Sequence, residues 1–203
     1  IVTVMPRLEV YLCSMIRSEQ EQVRLGSLQQ LRDLGINPFP AEEFIVSHRS
    51  TNLKNDFKEG VEVSLAGRMM SRRIMGKASF AELKDAQGSF QLYLNRDEIC
   101  PGEDKTLYNS VFKKLLDRGD FIGVKGVTFL TKVGEPSVKV LEFKVLSKAI
   151  RPLPAVKTDE EGNVHDAFSD PELRYRMRYV DLCVNDKVKD TFIARNKIIR
   201  ALR

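Results

Sequence analysis

The chain has 203 residues, 42% of them hydrophobic and 30% charged, with a net charge of +5 from 33 Lys and Arg against 28 Asp and Glu. This is an ordinary balance for a soluble globular protein, and the charge is too mild to call by itself for a nucleic-acid partner. Charges break every apolar run well short of the about 20 residues a membrane helix needs, while Cys13, Cys100 and Cys183 are too scattered for a disulfide framework and suit a cytoplasmic protein.

Residues 1–17 read as an extension without assigned function, because Pro6, Arg7 and Glu9 interrupt anything like a signal-peptide core. Ser18-Glu19-Gln20-Glu21 has the form of a capping box. Val23, Leu28, Leu31 and Leu34 then recur at helical spacing until Gly35, and Asn37-Pro38-Phe39-Pro40 forces an extended exit. Residues 18–60 are therefore expected to hold one amphipathic helix and an extended segment. From Val61 the apolar period drops to two, which predicts a long first strand running to about Arg73. Ala78–Leu83 and Phe90–Leu94 are the next strands, joined by the turn Asp85-Ala86-Gln87-Gly88. Leu107, Val111 and Leu115, with Tyr108 and Phe112 alongside, mark a helix ending by Gly119; strands follow at Phe121–Leu130 and Val138–Leu146.

Three strands, a helix and two strands within residues 61–150 fit a five-stranded OB-fold Greek-key barrel with its helix between strands three and four. Another small α+β barrel is the alternative. Residues 151–190 read as a polar linker that leads into a helix begun by Asp170-Pro171, and 191–203 as a further amphipathic helix with no partner left in the chain. That last feature suggests a chain cut short of another domain.

No catalytic constellation is present: there is no phosphate-binding GxxxxGK[ST] and no Ser/His/Asp set. With His48 and His165 the only histidines, no metal site is expected either. Between Val63 and Ala81 there is no acidic residue, whereas Arg68, Arg72, Arg73 and Lys77 all fall there. Strand parity sends Phe90, Leu92 and Leu94 to the core and Gln91 and Tyr93 outward. It likewise turns Leu141, Phe143 and Val145 in, Glu142 and Lys144 out, and Phe80 out beside Glu82. An outward ring next to phosphate-neutralising charge is how single-stranded nucleic acid is held; the plainer alternative makes Phe80 core at the barrel rim. Arg68 and Arg73, five positions apart, can share a face only if the first strand bulges, which Gly67 and Gly76 would permit.

The segment GRMMSRRIMGKASF (67–80), with Phe90-Gln91-Leu92-Tyr93, Gly119-Asp120, KAIRPLP (148–154) and ELRYRMRYVDL (172–182), resembles the anticodon-binding region of class II lysyl-tRNA synthetases. The likeness runs from about Ser18 to the last residue. It implies that Arg73, Phe80, Gln91 and Glu142, with Arg68 as a further candidate, read bases in the anticodon loop of tRNA(Lys); Lys77 of the basic run is expected to meet phosphate. Phe80 would stack on a uridine, and Glu142 would accept from uridine N3–H, which cytosine lacks. The resemblance also implies a homodimeric parent enzyme that uses ATP and Mg2+ to load lysine onto tRNA, with 191–203 matching the first catalytic-domain helix. The chain itself is then expected to be monomeric, without cofactor and inactive. An aspartyl- or asparaginyl-tRNA synthetase domain, or a free-standing single-strand-binding OB protein, would be the other readings.

Overall fold

The computed structural model describes residues 17–154, 157–158, 164–165 and 168–203. The extension expected at the start of the chain lies, up to residue 16, outside them. Two compact units emerge, one ending at Arg151 and one beginning at Pro152.

In the first unit, helix α1 (Glu19–Asp33) opens with the expected capping box, Glu21 N–H donating to Ser18 Oγ at 3.2 Å and Ser18 N–H to Glu21 Oε2 at 3.2 Å. It ends at Gly35, whose φ of 74° suits glycine. Its packed face differs from the expected one: Val23 is 63% exposed and Leu34 45%, while Leu28 and Leu31 are buried. Arg24 is the third member of that face, one turn before Leu28. Its guanidinium donates to the carbonyls of Arg118, Ala149 and Arg151 at 3.0–3.3 Å, so a charged residue anchors the helix where an apolar one was expected. A second helix, α2 (Ser50–Asn55), precedes the barrel. Its Ser-Thr-Asn opening has no helical periodicity, so the sequence indicates only an extended segment there.

Strands β1 (Glu62–Met75), β2 (Ala78–Lys84), β3 (Ser89–Asn95), β4 (Phe121–Leu130) and β5 (Pro136–Ser147) close into a barrel of order β1-β2-β3-β5-β4, with β3 and β5 parallel. This is the OB architecture. The first half of β1 pairs with β4 and the second half with β2. The strand changes partner at Arg68, which faces both Phe121 and Lys84, and at Gly67 just before it a Cβ would come within 2.6 Å of the Lys84 carbonyl oxygen. A bulge between Met69 and Ser71 follows directly. Strands β2 and β3 alternate as expected: Ala81, Leu83, Phe90, Leu92 and Leu94 are all buried.

A second bulge corrects β5. Val140 pairs with Gly126 and Glu142 with Lys125, leaving Leu141 as the extra residue, 48% exposed rather than inward. Phe143 and Val145 are core as expected. Between β3 and β4 come a short helix, α3 (Arg96–Ile99), and a π-helix (Leu107–Leu115) carrying buried Tyr108, Val111, Phe112 and Leu115. The last turn of the π-helix is bonded from β1. Arg72, turned inward by the β1 bulge, donates to the carbonyls of Phe112 and Leu116. The Leu116 N–H, which an α-helix would give to Phe112, reaches back to Val111 O at 3.0 Å instead.

The second unit holds a two-stranded ladder, β6 (Lys157–Thr158) with β7 (Val164–His165), inside the segment expected to be linker; the rest of 155–167 lies outside the described residues. Helix α4 (Pro171–Arg176) starts as expected, Asp170 Oδ1 accepting from Glu172 N–H at 2.9 Å. Helices α5 (Arg178–Val184) and α6 (Asp186–Leu202) follow, the last beginning five residues before the expected Thr191. Buried Asp181 gathers Arg174, Arg178 and Asn185. Among the described residues no helix is long and apolar enough to cross a membrane.

Candidate nucleic-acid interface

Residues directly opposite on neighbouring strands share a face. On the outer face of the barrel this register builds two adjacent rows. One runs Arg73–Phe80–Tyr93 and the other Ser71–Glu82–Gln91–Ser137 across β1, β2, β3 and β5. Ser71, Arg73, Phe80, Glu82 and Gln91 of these rows line the floor of an open groove of about 920 Å³. Thr131, Val133 and Glu135 of the β4–β5 hairpin wall one side, and Lys54 of α2 also lines it.

Phe80 stands half-buried in this groove. Tyr93 meets its ring at 5.3 Å between centroids, and Phe129 meets Tyr93 at 5.7 Å. Tilted and edge contacts of this kind fix the rings in place, leaving one face of Phe80 toward the groove. Phe80 is thus outward, as parity indicated, and not rim core. Gln91 sits between Ser137 and Glu135. In the amide orientation that satisfies both, its oxygen accepts from Ser137 Oγ at 3.0 Å and its NH2 donates to Glu135 Oε2 at 2.9 Å. The Arg73 guanidinium, exposed beside Phe80, has no hydrogen bond or ion pair among the described residues.

The groove therefore joins a stacking ring, a free guanidinium, an amide and two carboxylates. Such a set suits an unstacked base, which offers a π-face and a hydrogen-bonding edge together. It suits a polyphosphate poorly, because Glu82 and Glu135 offset the two cations.

Three residues expected at the site lie elsewhere. Glu142 does not line the groove; the second bulge sets it opposite Lys125, whose Nζ is 3.0 Å from Glu142 Oε2 on the exposed β4–β5 face. Arg68 does share the outer face with Arg73, because the first bulge, which follows Arg68, shifts the parity of the later residues. Its guanidinium, however, donates to Gly119 O at 2.8 Å and lies 4.2 Å over the Phe121 ring, turned toward β4. Lys77 is exposed at the β1–β2 turn without lining the groove. Arg72 of the basic run is inside, bound to helix carbonyls, and burial lowers its pKa against the pull of Asp117 and Asp120.

Two groove residues escape sequence reasoning. Glu135 presents itself only as part of the turn Val133-Gly134-Glu135-Pro136, and hairpin residues have no strand parity to aim them; the signal available is the preference of OB folds for ligands at this loop. Lys54 has none, since no periodicity marks α2 itself.

The OB-fold nucleic acid binding domain matches residues 63–146. Among curated proteins the chain is similar to the lysine–tRNA ligase of Christiangramia forsetii, 60% identical over 186 residues, which is 92% of this chain and 33% of that protein. It is also similar to the lysine–tRNA ligases of Porphyromonas gingivalis, 58% identical over 92% of this chain and 33% of theirs, and Azobacteroides pseudotrichonymphae, 54% identical over 92% and 38%. The chain spans about a third of the length of these relatives.

Proposed function

We infer, on the premise that this chain belongs with the lysine–tRNA ligases, that its barrel reads the anticodon loop of tRNA(Lys). The observation that carries the inference is the groove, which places Phe80, Arg73, Gln91 and Glu135 on one surface. Phe80 stacks on an unpaired uridine. Glu135, steadied by the Gln91 amide, accepts from uridine N3–H, and Arg73 donates to a uridine carbonyl. Cytosine has a lone pair at N3 where uridine has a proton, so a carboxylate there disfavours cytosine by repulsion as well as by a lost bond. Lys77 meets phosphate at the mouth of the β1–β2 turn. Glu142, held by Lys125, takes no part.

The relatives' shared lysine name favours this anticodon over those of aspartate and asparagine. In the whole protein, which we propose to be a cytosolic homodimer, loop reading selects the tRNA to which lysine is ligated with ATP and Mg2+. The 203 residues alone should be a monomer. The test is a titration of labelled anticodon stem-loops carrying UUU, GUC and single C substitutions. Preference for UUU supports the reading; indifference to sequence favours non-specific single-strand binding.

A further inference from the structure

We propose that the nucleic-acid site extends beyond the barrel onto α2, where Lys54 takes a backbone phosphate and Asp85 holds the helix in position. This deepens the anticodon reading and rests on it. Helix α2 lies outside the matched 63–146 segment, yet it is fixed to the groove from two sides. On one side Leu53 is buried in the barrel core. On the other, the β2–β3 turn grips the helix start: Ser50 N–H donates to Asp85 Oδ2 and Ser50 Oγ to Asp85 Oδ1, both at 2.7 Å. Thr51 Oγ1 adds a bond to Gln87 O at 3.2 Å. Gly88 permits the approach, since a Cβ there would come within 3.3 Å of Ser50 Oγ.

The same Asp85 carboxylate accepts from the Gln87 and Gly88 amides at 2.7 and 2.9 Å, so one side chain shapes the turn and clamps the helix. The clamped helix presents Lys54 to the groove that holds Phe80. Its ammonium has no hydrogen bond or ion pair among the described residues. The charge arrangement says what it meets. Glu82 and Glu135 exclude phosphate from the middle of the groove, so the backbone of a strand whose base rests on Phe80 must run where the free cations are. Phosphate contacts set position and leave sequence choice to the base-reading groups.

The experiment measures affinities of Lys54→Ala, Lys54→Arg, Asp85→Asn and Phe80→Ala for a UUU anticodon stem-loop and a C-substituted one over a range of salt concentrations, after circular dichroism of each variant. Lys54→Ala should weaken both loops alike, about threefold to fivefold near 0.15 M salt. It should also flatten the slope of log affinity against log salt by about 0.7 to 0.9, the worth of one phosphate contact. Lys54→Arg should keep the slope, and Asp85→Asn should flatten it although Lys54 is present. An unchanged slope for Lys54→Ala, with Phe80→Ala still weakening binding, would overturn the α2 extension alone. An unchanged slope for Asp85→Asn would remove its positioning role. If Phe80→Ala also binds like wild type, the groove reading itself fails.

Discussion

On the proposed reading, Phe80 and Glu135 divide the work of recognition between affinity and choice, and their substitutions should separate cleanly. Phe80→Ala removes a stacking platform worth about 1–3 kcal/mol. Binding to any anticodon loop should fall by that amount, with the ratio of UUU to C-substituted loops nearly kept. Glu135→Gln keeps an acceptor but adds an NH2 that can face cytosine N3, so the ratio should shrink more than the affinity. Glu142→Gln is the contrasting case: its partner is Lys125 on an exposed face, and both quantities should stay at wild-type values. Fluorescence titration of the three variants decides the matter, and a ratio lost in Glu142→Gln but kept in Glu135→Gln would reverse the assignment. Outward Phe80 and Gln91 are legible in the sequence because β2 and β3 are short and regular, so parity alone aims their side chains. Parity turns Glu142 outward, as the structure has it, but misplaces Leu141 and passes over Glu135. The bulge at Leu141 and the hairpin before β5 break the period on which parity depends.

Elements with a clean period are legible in the same way: α1 by its capping box, and the five strands to within a few residues. What the sequence conceals are features made by tertiary contacts. The end of the π-helix is bonded by Arg72 from another strand, and the start of α2 by a carboxylate 35 residues away. The Asp85 clamp also sets a pH dependence. Burial pushes its carboxyl up, but the hydrogen bonds from Ser50 and from the Gln87 and Gly88 amides outweigh burial and hold it below the ordinary 3.8. A folded pKa below the unfolded one contributes stability that is complete above the ordinary value and lost as pH falls through the lowered one. Amide exchange protection in α2, corrected for intrinsic rates, should therefore stay level through neutral and mildly acid pH and fail only below the aspartate range. Loss of protection between about pH 7 and 5, above that window, would count against the clamp. A second buried device ties the barrel exit to the turn before β4. Lys148 Nζ, with a fully buried side chain, lies 2.5 Å from Asp117 and 2.8 Å from Asp120, and Asp120 also accepts from Ala149 N–H at 2.7 Å. Lys148→Met would leave a buried carboxylate without its cation, a loss on the order of 3–5 kcal/mol. Urea denaturation should show it; a change under about 1 kcal/mol would mean the triad contributes little.

At the scale of the molecule, the barrel and its anchored helices form the proposed reading head, and the chain spans about a third of the length of the lysine–tRNA ligases it resembles. The chain should therefore be inactive in lysine-dependent ATP–pyrophosphate exchange, and activity above a blank in a contaminant-free preparation would contradict that. Sedimentation should report a monomer at micromolar concentration, and a stable dimer that survives deletion of α6 would contradict the expected assembly. The central claim is that one groove on the outer face of the barrel distinguishes uridine from cytosine in a loop. Its most direct test is the affinity of the wild-type chain for a UUU anticodon stem-loop against the same stem-loop with a single central C, at fixed salt. A well-placed set of hydrogen bonds to one base edge is worth about 1–3 kcal/mol of discrimination, so the UUU loop should bind roughly five to a hundred times more tightly. Equal affinity for the two loops would contradict the account.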